Sequence, residues 1–482
     1  VKNPDSPSPT LRVGSEGTPV SASGTGTPSS LDEKNHNEKQ KPVEKPISTT
    51  GELFPNGTAI ELIADESGYP RLLLFDGKEP RVARRVKVRG RLYEPPNLDA
   101  SLLHALTLPT KCIPYTSTRK LFAEIAQAIS QASGLREPLL RPFVYFVFAT
   151  WLIESLPVAP CFWVVVPATT SAAALAHVLH LLCRRALVVP ELTTTGLRSL
   201  PRGLRPTLLA NVAGVTRELL RALHASSRSG MYIPTGNNNV ADLFCSKVVF
   251  ARQPLPDPSA AGFPFEIALA PSVDNTPPMN VRGSQRLATD LQGKLLMYRL
   301  KNHAKLATPK LELAGLTAPT RDLAYTLAAC IVGDDELQSQ VVRFLGTHDR
   351  EIQVDQAALL ESTVLEALLA ACHDAKTQML SIIDLTHAVN TILDGRGEPR
   401  QVSPEITGWK LRALGLRSEF IANGRKGLYL PHDTRVRIHD LAAAYGVRTL
   451  RVGIIGETCS YCAQLRSPLT GKSDQARGAT PP

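Results

Sequence analysis

The sequence predicts an α/β protein: a parallel sheet covered by helices, with a small β module ahead of it and a helical linker and a helix–hairpin unit behind. Three observations carry this. Short apolar runs at 161–166 (CFWVVV), 206–210 (PTLLA) and 247–251 (KVVFA) alternate with helical stretches, the pattern of strands buried on both faces. Around Asp76-Gly77, a hairpin turn signal, lie two strand-like runs and an alternating basic one. Beyond residue 361, three helical stretches precede two strands.

The 482 residues suggest roughly three units at about 150 residues each, and 43% hydrophobic content is enough for real cores. Aromatics are only 5%, so those cores rest on Leu, Val, Ala and Ile. A formal net charge of +10 favours an anionic partner, nucleic acid or an acidic surface, although solubility alone also accounts for it. Six of the eight cysteines stand alone, several in apolar runs, which fits reduced thiols rather than a disulfide framework. The first residues are polar, without a signal-peptide core. The apolar run 142–153 spans 12 residues, short of the roughly 20 needed to cross a bilayer, and reads as a buried helix. These features describe a cytoplasmic protein without a membrane partner.

Residues 1–50, rich in Ser, Pro, Thr and Gly, read as a disordered tail. The module at 51–96 takes strands at 59–63 and 71–75. Its third strand, 81–89, sets Arg85, Lys87 and Arg89 on one face and Val86 and Val88 on the other, either a charge-guarded edge or a nucleic-acid contact. Residues 97–284 form the sheet domain, with helices at 119–132, 138–155 and 171–185. Gly236-Asn237-Asn238-Asn239 turns a hairpin whose tip has no Lys or Arg. A helical linker or lid follows at 285–360, the helix–hairpin unit at 361–451 and a flexible tail at 452–482.

A phosphate-binding strand–loop–helix needs glycines that let backbone N–H groups wrap the phosphates, a Lys against their charge and a hydroxyl for Mg²⁺. The strand at 161–166 and the helix from Ser171 have that order, but the loop Pro167-Ala168-Thr169-Thr170-Ser171-Ala172-Ala173-Ala174 contains neither Gly nor Lys. Thr470-Gly471-Lys472-Ser473 has the right triplet in a polar tail with no strand before it.

Over about 140–270 the chain resembles helicase-like P-loop ATPases of mobile elements and phages, related to primase–helicases. The resemblance rests on this strand and helix, on Arg184-Arg185-Ala186-Leu187-Val188-Val189, on Pro206-Thr207-Leu208-Leu209-Ala210-Asn211-Val212 and on the hairpin. It implies a degenerate P-loop ATPase-like sheet. The family's P-loop Lys falls on Ala173, its Mg²⁺-binding Thr on Ala174, its Walker B Asp on Asn211 and the following Glu on Val212. Phosphoryl transfer depends on electrostatic positioning of phosphate and metal, so an inactive site without a cofactor is expected. His177 and His180, one turn apart on an apolar helix, read as packing or capping. Cys459 and Cys462 form a CxxC without the second pair a structural zinc site needs.

In the C-terminal unit, helices read at 362–373 (Ser362 as cap), 383–393 and 403–414. Ser403 caps the third and Pro404 opens it. Strands at 416–421 and 427–430 flank a tip at 423–426. Three helices and a hairpin are winged-helix order, and the resembled family ends in a similar way. In such domains the third helix enters the major groove and the wing touches backbone. The candidate DNA-binding residues are therefore Lys410 and Arg412 on that helix, Arg417 on the first wing strand, and Arg425 and Lys426 at the tip. Between Ser403 and Arg451 nine bases (with Arg435, Arg437, Arg448 and Arg451) face four acids, about half of the chain's excess charge. The reading is a catalytically inactive helicase-like protein, a duplex-DNA-binding or scaffold component in replication or mobile-element biology. The alternatives are an NTPase with an unrecognised site and a pure protein-interaction module, with a protein partner or homo-oligomer in view.

Overall fold

The computed structural model describes residues 45–447, apart from 168–170, 202, 237–238, 256–263, 270–280, 307–310, 312, 314–315, 358, 375, 399–400 and 422–424. Cys459, Cys462, Arg448, Arg451 and the 470–473 triplet lie outside the described residues.

The chain opens with β1 (Ile47–Ser48), β2 (Gly51–Leu53), β3 (Ala59–Ala64), β4 (Pro70–Phe75), β5 (Arg81–Ala83), β6 (Val86–Val88) and β7 (Arg91–Glu94). An antiparallel sheet runs β2-β3-β4-β5 and a second sheet runs β1-β7-β6. Asp76 turns the β4–β5 connection by accepting from Lys78 N, and Gly77 takes φ 90°. The expected basic strand at 81–89 is divided. Its halves, β5 and β6, belong to different sheets, with the exposed pair Arg84-Arg85 between them. Val86 and Val88 are buried and Lys87 is exposed, as alternation requires, but Arg85 is held by Glu94 at 2.9 Å and Arg89 turns the chain at φ 50°. No continuous row of three bases results.

Next come α1 (Ala100–Ala105), α2 (Thr118–Ser133) and α3 (Leu140–Trp151). Ser117 caps α2, accepting from Lys120 N, and Gly134 ends it in the left-handed region. All but the last two residues of the membrane-like run lie in α3, whose residues are almost all buried, and among the described residues no helix is long and apolar enough to cross a membrane. The central sheet collects β8 (Cys161–Val165), β9 (Ala186–Val189), β10 (Thr207–Asn211), β13 (Lys247–Ala251) and β14 (Phe265–Ala268). Between them lie α4 (Ala173–Leu182), α5 (Thr194–Arg198), α6 (Arg217–Ala225) and an antiparallel hairpin, β11 (Tyr232–Gly236) with β12 (Asn239–Asp242).

All five strands are parallel, in the order β14-β8-β13-β10-β9. Alternation along them feeds two cores. Phe162, Val164, Leu209, Val248 and Phe250 join the layer containing α2, α3 and α4, while Trp163, Leu208, Ala210, Val249 and Ala251 join the layer containing α6. The helices α7 (Val281–Asn302), α8 (Ala318–Ala329) and α9 (Asp335–Ala357) follow. They share the first of these cores through Leu295, Tyr298, Leu327 and Leu345. Tyr145 and Tyr298 lock them with hydroxyl bonds to Leu337 O (2.6 Å) and Cys330 O (2.8 Å).

The last stretch has its own core: α10 (Leu360–His373), β15 (Met379–Ser381), α11 (Ile382–Gly395), α12 (Pro404–Ala413), β16 (Glu419–Phe420), β17 (Lys426–Tyr429) and α13 (His432–Ala444). Its antiparallel sheet runs β15-β17-β16. Ser403 caps α12 with Pro404 in its first turn. Ser362 is not a cap: α10 starts at Leu360, so Ser362 lies inside the helix and is buried.

A buried ionic cluster ties the first module to the central sheet domain. Glu61, on β3, accepts from Arg184 through both oxygens (3.0 and 2.9 Å), from Arg185 (2.7 Å) and from Arg299 on α7 (2.8 Å). Glu154 pairs with Arg184 (2.7 Å) and Arg299 (2.8 Å). Burial alone would raise both carboxyls. The guanidiniums of Arg184, Arg185 and Arg299 more than reverse that and hold both below the usual carboxylate range. Burial and the neighbouring Arg184 pull Arg185 down to about 10, still charged at neutral pH.

Candidate functional site

In an open parallel sheet, ligands bind at the carboxyl ends of the strands, where successive connections diverge. Here β8 is interior, its following helix α4 leads to the edge strand β9, and the fifth strand returns to the other side of β8. In chain order the five strands stand 5-1-4-3-2. An open cavity of about 820 Å³ lies at this edge, walled by the ends of β8, β10 and β13 and the first turns of α4.

Ala173, Asn211 and Val212 all line it. Ala174 is the next residue of α4 and does not line it. Asn211 is the exposed last residue of β10, and Val212 beyond it is buried. At the start of α4, Ala172 offers no side-chain cap, and Ser171 Oγ accepts from Ala173 N at 3.2 Å. Among the described residues no Asp or Glu lines the cavity, and the ionisable side chains that do are His177, His180 and Arg252.

Each of these three has a definite setting. Arg252, just past β13, donates to Pro167 O at 2.8 Å and Val166 O at 3.4 Å. Its guanidinium therefore lies against the carbonyls that close β8. His180 Nε2 lies 3.1 Å from Ala105 O and 3.0 Å from Thr107 Oγ1. A carbonyl only accepts, so this nitrogen carries the proton. Burial holds the ring's pKa below its ordinary value, so it is neutral and structural at pH 7. His177 stands one turn earlier on the same wall. A hard divalent cation wants several oxygen ligands, usually with carboxylates, and this wall offers the Asn211 amide and the Ser171 hydroxyl. Among the described residues no group of three or more His, Cys, Asp or Glu could hold a metal ion. The strand ends and the helix start were legible from apolar runs. Arg252 was not, since a lone Arg after a strand matches no motif.

At the C-terminal unit the five candidate bases separate. Lys410 is half-buried and its ammonium pairs with Glu361 of α10 at 2.6 Å. Arg412 is exposed on α12, on the stripe that also carries Glu405 and Trp409 at helical spacing. Arg417 is exposed before β16, and Arg425 and Lys426 are exposed on the hairpin. Lys426 Nζ sits 5.6 Å from the centroid of Phe420, its partner across β16 and β17. Arg435 is buried and donates to Leu430 O at 2.9 Å and to the carbonyls of Cys372 and Thr377, so it is structural. Three aromatic rings passed over in the sequence stand in the open here: Trp409 (69% exposed), Phe420 (72%) and Tyr429 (44%).

No known family profile matches this chain, and no curated protein does. Among solved structures, the apo A form of the NrS-1 C-terminal region is 10% identical, with a TM-score of 0.36 over 77% of this chain and 97% of that one. Drosophila ORC bound to DNA is 14% identical, with a TM-score of 0.17 over 71% and 95%. Cdc6p from Pyrobaculum aerophilum is 13% identical, with a TM-score of 0.19 over 64% and 93%. Likenesses this distant carry no argument about activity. The parallel sheet and the edge crevice are themselves consistent with a P-loop ATPase-like frame.

Proposed function

We propose that this chain is a catalytically inactive, helicase-like protein that binds duplex DNA through its C-terminal unit. It acts as a DNA-binding or scaffold component in replication or mobile-element biology. One observation carries the first half: among the described residues, the crevice where such a frame would hold Mg²⁺ and triphosphate has no carboxylate in its wall, with Ala173, Asn211 and Val212 lining it. Without a Lys, a hydroxyl ligand and an acid at those places, little remains to position phosphate and metal. The second half rests on the order α10–β15–α11–α12–β16–β17, which reads as a winged helix, and on exposed Arg412, Arg417, Arg425 and Lys426. In such a unit α12 lies in the major groove and the β16–β17 hairpin follows the phosphates.

Two titrations test this. Calorimetry with a non-hydrolysable ATP analogue and Mg²⁺ is expected to give no metal-dependent binding, and micromolar binding would overturn the inactive-site half. Anisotropy with a labelled duplex is expected to give affinity that falls with salt by about 0.9 log units per phosphate contact for each log unit of salt. A chain that ignores duplex DNA at low salt does not fit the second half.

A further inference from the structure

Phe420 has the chemistry of a stacking platform placed on a basic hairpin. It is 72% exposed on β16, directly across from Lys426, whose ammonium lies 5.6 Å from the ring centroid. Arg425 is exposed next to Lys426, and Arg417 is exposed ahead of β16. An apolar ring of this size left in water forgoes burial free energy, and here its cross-strand neighbour is a Lys ammonium. Intact duplex offers such a ring no free base face to stack on, because base faces are covered by their neighbours and only base edges show in the grooves. An unpaired nucleotide offers both a π-face and a phosphate. Aromatic rings interleaved with bases are the usual means of holding single strands.

We infer that the β16–β17 hairpin takes an unpaired nucleotide beside the duplex, Phe420 stacking on its base while Lys426 and Arg425 hold the adjacent phosphates. The ligand class is a duplex with a single-stranded extension. This rests on the DNA-binding reading above and sharpens it. The test uses the full chain and anisotropy with three probes of equal duplex length: blunt, 3′-tailed and 5′-tailed. The unmodified chain is expected to prefer a tailed duplex. Phe420→Ala is expected to weaken tailed binding by about 5- to 150-fold, the range corresponding to 1–3 kcal/mol of stacking per base, and to leave blunt binding unchanged. Phe420→Trp keeps the preference. Equal loss on blunt and tailed probes, or no loss on either, overturns the stacking site while leaving duplex binding in place. No binding to any probe overturns both readings. Self-association that Phe420→Ala abolishes, with DNA binding unchanged, assigns the ring to a protein contact instead.

Discussion

The two ends of α4 make opposite use of charge. Its first turn opens on the crevice with Ala172 and Ala173 and no side-chain cap. Its last turn runs through Cys183 into Arg184 and Arg185, which enter a buried cluster of three guanidiniums and two carboxylates with Glu61, Glu154 and Arg299. A helix attracts anions at its start and cations at its end. In this chain α4 leads into charge at the end that holds modules together and brings none in the first turn that opens on the crevice. A frame can shed its reactive groups at small structural cost when they lie on an open wall. It cannot shed groups that neutralise one another out of water.

The largest effect that would break this contrast is at Glu61. Glu61→Ala leaves three buried guanidiniums with one carboxylate, and removing one partner of a buried pair costs about 3–5 kcal/mol. Urea unfolding is expected to show that loss, while Ala173→Lys, at an exposed position of the crevice, is expected to shift stability by no more than about 0.5 kcal/mol. Equal effects at both positions would remove the distinction. Acid titration sharpens it. Both Glu61 and Glu154 ionise more readily in the folded chain than at the ordinary value of about 4.3. Their stabilisation is therefore complete above that value and is lost as pH falls through their depressed folded values. Stability is expected to drop steeply below about pH 4, and Glu154→Gln is expected to flatten that slope. A slope unchanged by the substitution would place the acid sensitivity elsewhere.

The smallest effects are at α12. Lys410 is turned to Glu361, so Lys410→Ala is expected to leave the salt dependence of DNA binding unchanged and to cost up to about 1 kcal/mol of stability. Arg412→Ala is expected to flatten that dependence by about 1 if the side chain meets a phosphate, and replacing both Arg425 and Lys426 by Ala by about 2. Anisotropy over a salt series separates these cases, and a Lys410 effect as large as that of the wing pair would mean that the Glu361 bond opens on DNA.

Sequence reasoning reached the parts of this fold that announce themselves by apolar pattern. The 247–251 strand has the same bounds in the structure, β10 starts one residue later than read, and all but the last two residues of the membrane-like run lie in a buried helix. The resemblance assigned Ala173, Ala174, Asn211 and Val212 to one nucleotide site; three of these line a common crevice and Ala174 does not. Sequence reasoning could not see the ionic cluster, since periodicity assigns charged residues to the surface and Arg or Glu is rarely buried unless paired. The pairing partners lie on segments up to 238 residues apart. The basic strand broke for a local reason: Arg84-Arg85 bridge two sheets and Arg89-Gly90 both take positive φ, which alternation alone does not reveal. Ser362 misled because a good capping residue also tolerates a helix interior two residues in.

The reach of Glu61 also sets a timetable during synthesis. A chain made at about 5–20 residues per second delivers its N-terminal parts first, so Arg299, 238 residues further on, is added roughly 12 to 48 s after Glu61 at that rate. Through that interval the β3–β4 hairpin carries a carboxylate whose full set of partners does not yet exist. A nascent-chain protease assay would find the module open until α7 has emerged, and closed soon after.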